Sequence, residues 1–261
     1  MICKLCGEDK TLCDAHIIPK WFYTEIQPKD GKKLLIIDPS LHYTPRSGKG
    51  EYDPNILCAE CDGQIIGKWD DAAIKFFQNK DEWSIIQSEE DPKALAYEVK
   101  ITDVDYAQLK LFFISLLWRA SISQRPMFQA VQLGPFEQKA YEHIKNQNPG
   151  SEDEFSVIVR KFRPSEKPWY SSSKDVMHRS IISPIKKRRN QRDYYLFQLN
   201  EFSIDIKVSN KEIDPRLAII TLSRGRPFYI FERDFDESSE YKTLQIAIRE
   251  QERKSVGFKN K

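Results

Sequence analysis

Two short stretches, Cys3-Lys4-Leu5-Cys6-Gly7 and Cys58-Ala59-Glu60-Cys61-Asp62, organise the N-terminal part of this chain. Each stretch carries two cysteines separated by two residues, and this spacing lets both thiolates of a pair face one metal ion. Two such pairs complete a closed tetrahedral site of the structural zinc type. Four buried or redox-active thiols are the alternative. We predict one structural Zn²⁺ held by the four cysteines of the two pairs, Cys3, Cys6, Cys58 and Cys61.

The positions of the cysteines also indicate the class of protein. The chain has 261 residues and five cysteines, and the last of these is Cys61. A disulfide scaffold would spread its cysteines through the fold, so the clustering favours a metal. The fifth cysteine, Cys13, is expected to pack as a small apolar side chain. The chain starts without an apolar signal segment and has no apolar run that matches a bilayer, so we expect a cytoplasmic protein without a membrane anchor.

The hydrophobic pattern predicts a mixed α+β fold in two parts. A composition of 40% hydrophobic and 31% charged residues is that of a globular chain able to bury a sizeable core. Residues 1–80 form the first part, and residues 81–261 form a second part in which a polar connector and helices precede an antiparallel sheet. The helices predicted by apolar spacing are Asp62–Gln78, Tyr106–Ala120, Phe136–Lys145 and one near Glu240–Glu252. The predicted strands are Leu34–Asp38, Phe155–Phe162, Tyr194–Leu199, Phe202–Val208, Leu217–Leu222 and Pro227–Glu232, with a loop at Pro39–Pro54.

His16 is the residue best suited to catalysis. It lies between the two cysteine pairs and is one of four histidines in the chain. A neutral imidazole beside a metal-bound phosphate can act as a general base that activates water. Carboxylates suit a hard ion such as Mg²⁺, and Asp14, Asp62 and Asp70 are the candidates. Eight residues separate Asp62 from Asp70, about 80° around a regular helix, so one carboxylate can face the hairpin while the other supports it.

These residues resemble an HNH endonuclease in its cysteine-bearing form, and more narrowly a group of uncharacterised bacterial HNH-like proteins. The resemblance rests on Cys-x-x-Cys-Gly at 3–7, Asp-Ala-His-Ile-Ile-Pro at 14–19 and Asn-Ile-Leu-Cys-Ala-Glu-Cys-Asp at 55–62. It covers residues 1–78. It implies a treble-clef zinc module with a ββα-metal active site that hydrolyses phosphodiester bonds, with DNA as the expected substrate and RNA as the alternative.

The resemblance also implies roles for individual residues. His16 would be the general base, Asn55 would steady the hairpin, and Asp62 and Asp70 would help hold a catalytic Mg²⁺ or Mn²⁺. Many HNH sites carry an acidic residue or a second histidine immediately before the base. This chain has Ala15 there, which makes Asp14 an alternative ligand. An aspartate also stands where the motif usually ends in histidine or asparagine.

Other features bear on the partners of the protein. A net charge of +2 does not by itself imply nucleic acid, but five positive charges fall within 186–192. Such a run can neutralise phosphates and contact DNA, and a solvated loop is the alternative. These residues are Lys186, Lys187, Arg188, Arg189 and Arg192.

Two further interpretations stay open at this stage. The first is a non-catalytic zinc module that binds nucleic acid or another protein. The second is a nuclease subunit that depends on a protein partner, as in bacterial defence or toxin systems. For Arg119, at the end of the apolar stripe, contact with a carboxylate of the first part, a structural ion pair and simple exposure are all open.

Overall fold

A computed structural model describes residues 1–26, 34–35, 46–47, 50–90, 94–163, 180–242 and 245–246. It confirms a mixed α+β fold in which helices pack on a mostly antiparallel sheet. The α-helices are α1 (Lys20–Glu25), α2 (Gly67–Gln78), α3 (Asp103–Ile122) and α4 (Pro135–Lys145). The strands are β1 (Ala15–His16), β2 (Leu34–Leu35), β3 (Arg46–Ser47), β4 (Tyr52–Asp53), β5 (Ser84–Gln87), β6 (Leu95–Val99), β7 (Val157–Arg163), β8 (Ser180–Arg189), β9 (Arg192–Asn200), β10 (Phe202–Lys207) and β11 (Phe228–Asp234).

Seven of these strands form one sheet, in the spatial order β5-β6-β11-β7-β10-β9-β8. Only the pairing of β11 with β7 is parallel among the described strands. The predicted strands Tyr194–Leu199 and Phe202–Val208 correspond to β9 and β10, which form a tight hairpin: Leu199 faces Phe202, and Asn200 takes a positive φ of 57°. The polar connector expected at the start of the second part supplies two strands of this sheet, β5 and β6.

Two sequence predictions for the sheet are wrong. Leu217–Leu222 is not a strand, because Pro215–Ile220 forms a 3₁₀ helix whose first turn is capped by the Asp214 side chain at the N–H of Arg216. A strand was also missed at β8, where polar and basic residues obscure the apolar alternation that marks a half-buried strand. Both errors have the same cause, since packing against the rest of the sheet overrides local pattern.

The helix α3 is the centre of the molecule. A capping box starts it, because the Thr102 hydroxyl accepts from the N–H of Asp105 at 3.1 Å while the Asp105 carboxylate accepts from the N–H of Thr102 at 3.2 Å. The helix is apolar on nearly all sides and is buried along most of its length, as expected for a helix covered all round. The apolar core is continuous from Cys3 through α2 and α3 to the sheet, so it crosses residue 80.

The N-terminal part contains two short antiparallel ladders. In one, β1 pairs with β4, so that Ala15 faces Asp53 and His16 faces Tyr52. In the other, β2 pairs with β3. The loop predicted at Pro39–Pro54 therefore contains one strand of each ladder, β3 and β4. The rest of Leu34–Asp38, and most of the loop, lie outside the described residues.

Of the last predicted helix, residues 240–242 and 245–246 are helical, and the remainder lies outside the described residues. Among the helices that the structure describes, none combines the length and apolar character needed to cross a membrane.

Candidate metal centre and active site

The four predicted metal ligands come together at the N-terminus. The sulfur atoms of Cys3, Cys6, Cys58 and Cys61 all lie within 4.8 Å of one another. This proximity and the all-sulfur donor set are compatible with a structural metal ion such as zinc. Within the described residues, no other group of three or more histidine, cysteine or carboxylate side chains gathers its ligand atoms in this way.

The local backbone explains how the first pair is presented. The N–H of Gly7 bonds to the carbonyl of Cys3 at 2.9 Å, and the N–H of Cys3 bonds to Glu8 at 3.0 Å, which closes a tight knuckle. Gly7 has a φ of +77°, which a residue with a side chain adopts only at a cost, and this is why glycine follows the second cysteine. The N–H of Cys58 points at the Cys3 sulfur at 3.4 Å, which joins the two pairs.

The second pair opens a helix that starts in an unusual form. Residues Cys61–Ile66 are π-helical, and the N–H of Gly67 bonds five residues back to the carbonyl of Asp62. The predicted helix over Asp62–Gln78 is therefore regular only from Gly67 onward. The angle of about 80° worked out for Asp62 and Asp70 does not apply, because a π turn holds more residues than an α turn.

His16 sits on the exposed side of the first ladder. Alternation along β1 and β4 buries Ala15 and Asp53, and it leaves His16 and Tyr52 half-buried. The His16 and Tyr52 rings face each other across the ladder, with centroids 6.1 Å apart and planes tilted by 52°. The imidazole is thus carried by a two-stranded support and remains partly accessible.

Asp62 is near enough to His16 for the two side chains to interact electrostatically. Burial raises the pKa of the Asp62 carboxyl, while the positive charge of Arg119 and the neighbouring His16 imidazole act in the opposite direction. Cys13 is a further neighbour of Asp62, and burial raises the pKa of the Cys13 thiol to about 11. Its sulfur lies 3.5 Å from the carbonyl of Leu57, and its side chain packs partly buried against the apolar core, as predicted.

Asp70 is engaged by α3. Both of its carboxylate oxygens accept from Arg119, Oδ1 at 2.7 Å and Oδ2 at 3.0 Å. The same guanidinium donates to the backbone carbonyl of His16 at 2.7 Å. Arg119 is 0% exposed, which excludes simple exposure. The structure instead shows an ion pair with Asp70, a carboxylate of the first part. A metal ion at Asp70 would have to compete with this guanidinium.

The two remaining catalytic candidates lie at the edge of this group. Asp14 is exposed, one residue before β1 and two residues before His16. Asn55 is also exposed, and its backbone N–H donates to the Asp53 carboxylate at 2.9 Å. The link between Asn55 and the hairpin is therefore made by the backbone of Asn55 and the side chain of Asp53.

Sequence reasoning missed the part that Asp53 plays. Asp53 is 1% exposed, and its Oδ2 accepts from the Ser123 hydroxyl at 2.9 Å and from the N–H of Gln124 at 3.0 Å. A neighbouring ion pair joins Arg125 to Glu51 at 3.1 Å. No local sequence pattern marks Asp53, because β4 is only two residues long. The groups that donate to the Asp53 carboxylate lie about seventy residues further along the chain.

The basic run does not form a solvated loop. Its first four residues complete β8, where strand alternation sends Lys187 and Arg189 inward. Arg189 and Arg160 both donate to one oxygen of the fully buried Asp205 at 2.7 Å. Lys187 lies 3.6 Å from the buried carboxylate of Glu240. Two of the five predicted phosphate-binding residues are therefore neutralised within the protein.

The other three basic residues lie nearer the surface. Lys186 and Arg188 are exposed on the opposite face of β8, with Lys186 positioned 5.9 Å from the centre of the Tyr195 ring. Arg192 begins β9 and donates to the carbonyls of Glu212 and Asn190. Of the five, Lys186 and Arg188 are the exposed ones, and Arg188 also lies 3.8 Å from the carboxylate of Asp193.

Comparison of the chain with protein-family models, with curated proteins and with solved structures gives no match.

Proposed function

We propose that this protein is a metal-dependent endonuclease of the HNH type. The observation that carries the proposal is that His16, on a short antiparallel ladder, and Asp62, in the first turn of a helix, are near enough to interact electrostatically. A cysteine cluster adjoins the start of that helix. A general base and a carboxylate brought together in a partly accessible site are the groups that phosphodiester hydrolysis requires.

The N-terminal geometry supports a treble-clef interpretation with zinc as the structural metal. The order of parts is a cysteine knuckle, a two-stranded ladder and a helix that begins at the second cysteine pair. Four thiolates within 4.8 Å suit the tetrahedral preference of Zn²⁺. Bound zinc would tie the knuckle to the helix start and would stabilise the fold around His16.

His16 has the direct chemical role in the proposed reaction. Its imidazole takes a proton from water, the water oxygen forms a bond to phosphorus, and the bond from phosphorus to the leaving oxygen breaks. Asp62 would contribute a carboxylate to a divalent Mg²⁺ or Mn²⁺, with Asp14 as the alternative ligand. When bound, that ion supplies positive charge against the charge that develops on the phosphate.

The substrate proposed is DNA, with RNA as the alternative. Both carry the same phosphodiester linkage, and the exposed Lys186 and Arg188 provide cations for either backbone. The proposal includes a nuclease that depends on a protein partner, as in defence or toxin systems. Cleavage is therefore measured both with and without candidate partner proteins.

A plasmid-nicking assay with Mg²⁺ or Mn²⁺ tests the proposal. We expect wild-type protein to nick DNA, and His16→Ala to lower the rate by about 10²–10⁴, as is usual for a lost general base. His143→Ala is the matched control, since this histidine lies on α4 and bonds to the carbonyl of Asn148. Zinc content should be equal in all three proteins. Equal rates for His16→Ala and wild type would remove His16 from the mechanism.

A non-catalytic zinc module that binds nucleic acid or protein is the second candidate. The engagement of both Asp70 oxygens by Arg119 favours it, because fewer carboxylates then remain for a catalytic metal. The discriminating measurement is isothermal titration of zinc-loaded protein with Mn²⁺, compared between wild type and Asp62→Ala. A second metal site lost in Asp62→Ala supports the nuclease. Absence of both a second metal site and cleavage, with candidate partners present, supports the binding module.

A further inference from the structure

We infer that Arg119 is a positioning residue for His16, so that the second part of the chain completes the candidate active site. The inference rests on the proposed nuclease function, because it assigns Arg119 a part in the same site. Arg119 comes from the last turn of α3, 103 residues from His16 and 49 residues from Asp70. Nothing in the local pattern of residues 1–78 supplies this contact.

The guanidinium joins the two elements that carry the site. Its Nη1 donates to the backbone carbonyl of His16 at 2.7 Å, at the end of β1. Its Nη1 and Nη2 also form the paired bonds to Asp70 on α2, at 3.0 and 2.7 Å. Because a planar guanidinium has its donors in a fixed fork, these bonds set the distance between β1 and α2 as well as their orientation.

The residues that follow α3 hold the second strand of the ladder. Ser123, the C-terminal cap of α3, lies four residues after Arg119, and its hydroxyl donates to Asp53 of β4 at 2.9 Å. The N–H of Gln124 donates to the same carboxylate oxygen at 3.0 Å. The C-terminal end of α3 and the two residues after it thus contact both strands that face each other at His16 and Tyr52.

The burial of Arg119 indicates a positioning role and not a direct catalytic one. Arg119 is 0% exposed, so its guanidinium cannot touch a bound phosphate. It acts through the backbone of His16 and through α2, whose preceding turn carries Asp62. Misplacement of a general base by about 1 Å is enough to cost on the order of 10²-fold in rate. The contact therefore has a kinetic consequence as well as a structural one.

A double substitution separates these two consequences. Removal of one partner of a buried ion pair leaves an unpaired charge, whereas replacement of both by apolar residues of similar size is often neutral or stabilising. Arg119→Met combined with Asp70→Leu should therefore fold with a urea midpoint close to that of wild type. We expect its turnover number on DNA to fall about 10- to 100-fold, with KM changed by about twofold or less. Arg119→Lys should be intermediate, since one ammonium replaces a fork that serves two acceptors.

The matched control removes an ion pair elsewhere. Lys161 and Glu232 form a pair at 2.7 Å between β7 and β11, and Lys161→Met with Glu232→Leu replaces it in the same way. This variant should keep the wild-type turnover number. A loss of rate in both double variants would show a general effect of ion-pair removal and would overturn the inference.

A readout without cleavage makes the two proposals separable. In the histidine-ring NMR spectrum of wild type, the His16 signal is identified by its loss in His16→Ala. In Arg119→Met with Asp70→Leu, the His16 signal should shift or broaden while the His143 signal stays in place. If wild type cleaves DNA and the double variant matches it in rate and in the His16 signal, the inference is overturned and the nuclease stands. If wild type does not cleave, the nuclease proposal fails, and the role of Arg119 in catalysis fails with it.

Discussion

Replacement of Lys110 by methionine should stabilise the protein at neutral pH and should lose most of that advantage at alkaline pH. Lys110 lies in the middle of α3 and is 0% exposed. Its ammonium nitrogen makes no hydrogen bond in the described part of the chain, and the same is true of the Tyr106 hydroxyl one turn earlier. Methionine fills a similar volume without a polar group, so the substitution removes the cost of burying an amine.

The pKa of Lys110 gives the magnitude. Burial lowers that pKa from 10.5 to about 7, with Lys207 acting in the same direction and Glu152, Glu154 and Asp153 opposing. A difference of 3.5 units, from 10.5 − 7, corresponds to about 5 kcal/mol at 1.36 kcal/mol per unit. Below the folded pKa both states carry the proton and the full cost is present. Between the two pKa values, unfolding takes up a proton. Each unit by which the pH rises in this window therefore raises the free energy of unfolding of wild type by about 1.4 kcal/mol.

Urea unfolding of wild type and Lys110→Met at two pH values checks the reasoning. We expect the variant to be more stable by roughly 3–5 kcal/mol near pH 7, and the difference to shrink by about 2 kcal/mol near pH 9. Lys68→Met, at an exposed site on α2, is the control and should change stability by about 0.5 kcal/mol or less at either pH. A Lys110→Met variant that is less stable than wild type near pH 7, or a difference independent of pH, would refute the argument.

Three further predictions follow from the metal site and the sheet. Purified protein washed with chelator should retain one zinc per chain by elemental analysis, and Cys58→Ser should lose the metal and unfold at least the N-terminal part; a folded chain without zinc would contradict this. Substitution of Lys186 and Arg188 by glutamine should lower the slope of log affinity for DNA against log salt by roughly two, and an unchanged slope would exclude these cations from the interface. Asp205→Ala should cost roughly 3–5 kcal/mol in urea unfolding at neutral pH, because Arg160 and Arg189 would share a buried site without their carboxylate, and a loss below about 1 kcal/mol would contradict that role.

The predictions that succeeded depend on short spacings. Two residues between cysteines determine which way a pair of thiolates points, and the gathering of Cys3, Cys6, Cys58 and Cys61 follows from two such turns. Apolar residues at helical spacing located α3 and α4, because each buries one or more faces whatever lies opposite. The strands β7, β9, β10 and β11 were located within a few residues by alternation.

Partners distant in sequence account for most of what was missed. A basic run can be solvated, bound to phosphate or neutralised inside the fold, and its charge pattern is the same in all three situations. Lys187 and Arg189 turn inward because β8 pairs with β9 and brings them over Asp205 and Glu240. The prediction of a strand at Leu217–Leu222 is wrong for a related reason. The secondary structure of a short apolar segment depends on the elements that pack against it, and here a 3₁₀ helix forms.

The candidate active site divides along the same line. The sequence by itself determined the cysteine cluster, the placement of His16 between its two pairs and the α+β class, because these depend on spacing over a few residues. Only the tertiary structure decided that Asp62 interacts electrostatically with His16 and that Asp70 is bound by Arg119. Those interactions join residues 46 and 49 positions apart, and they form when burial in a shared core brings the elements together.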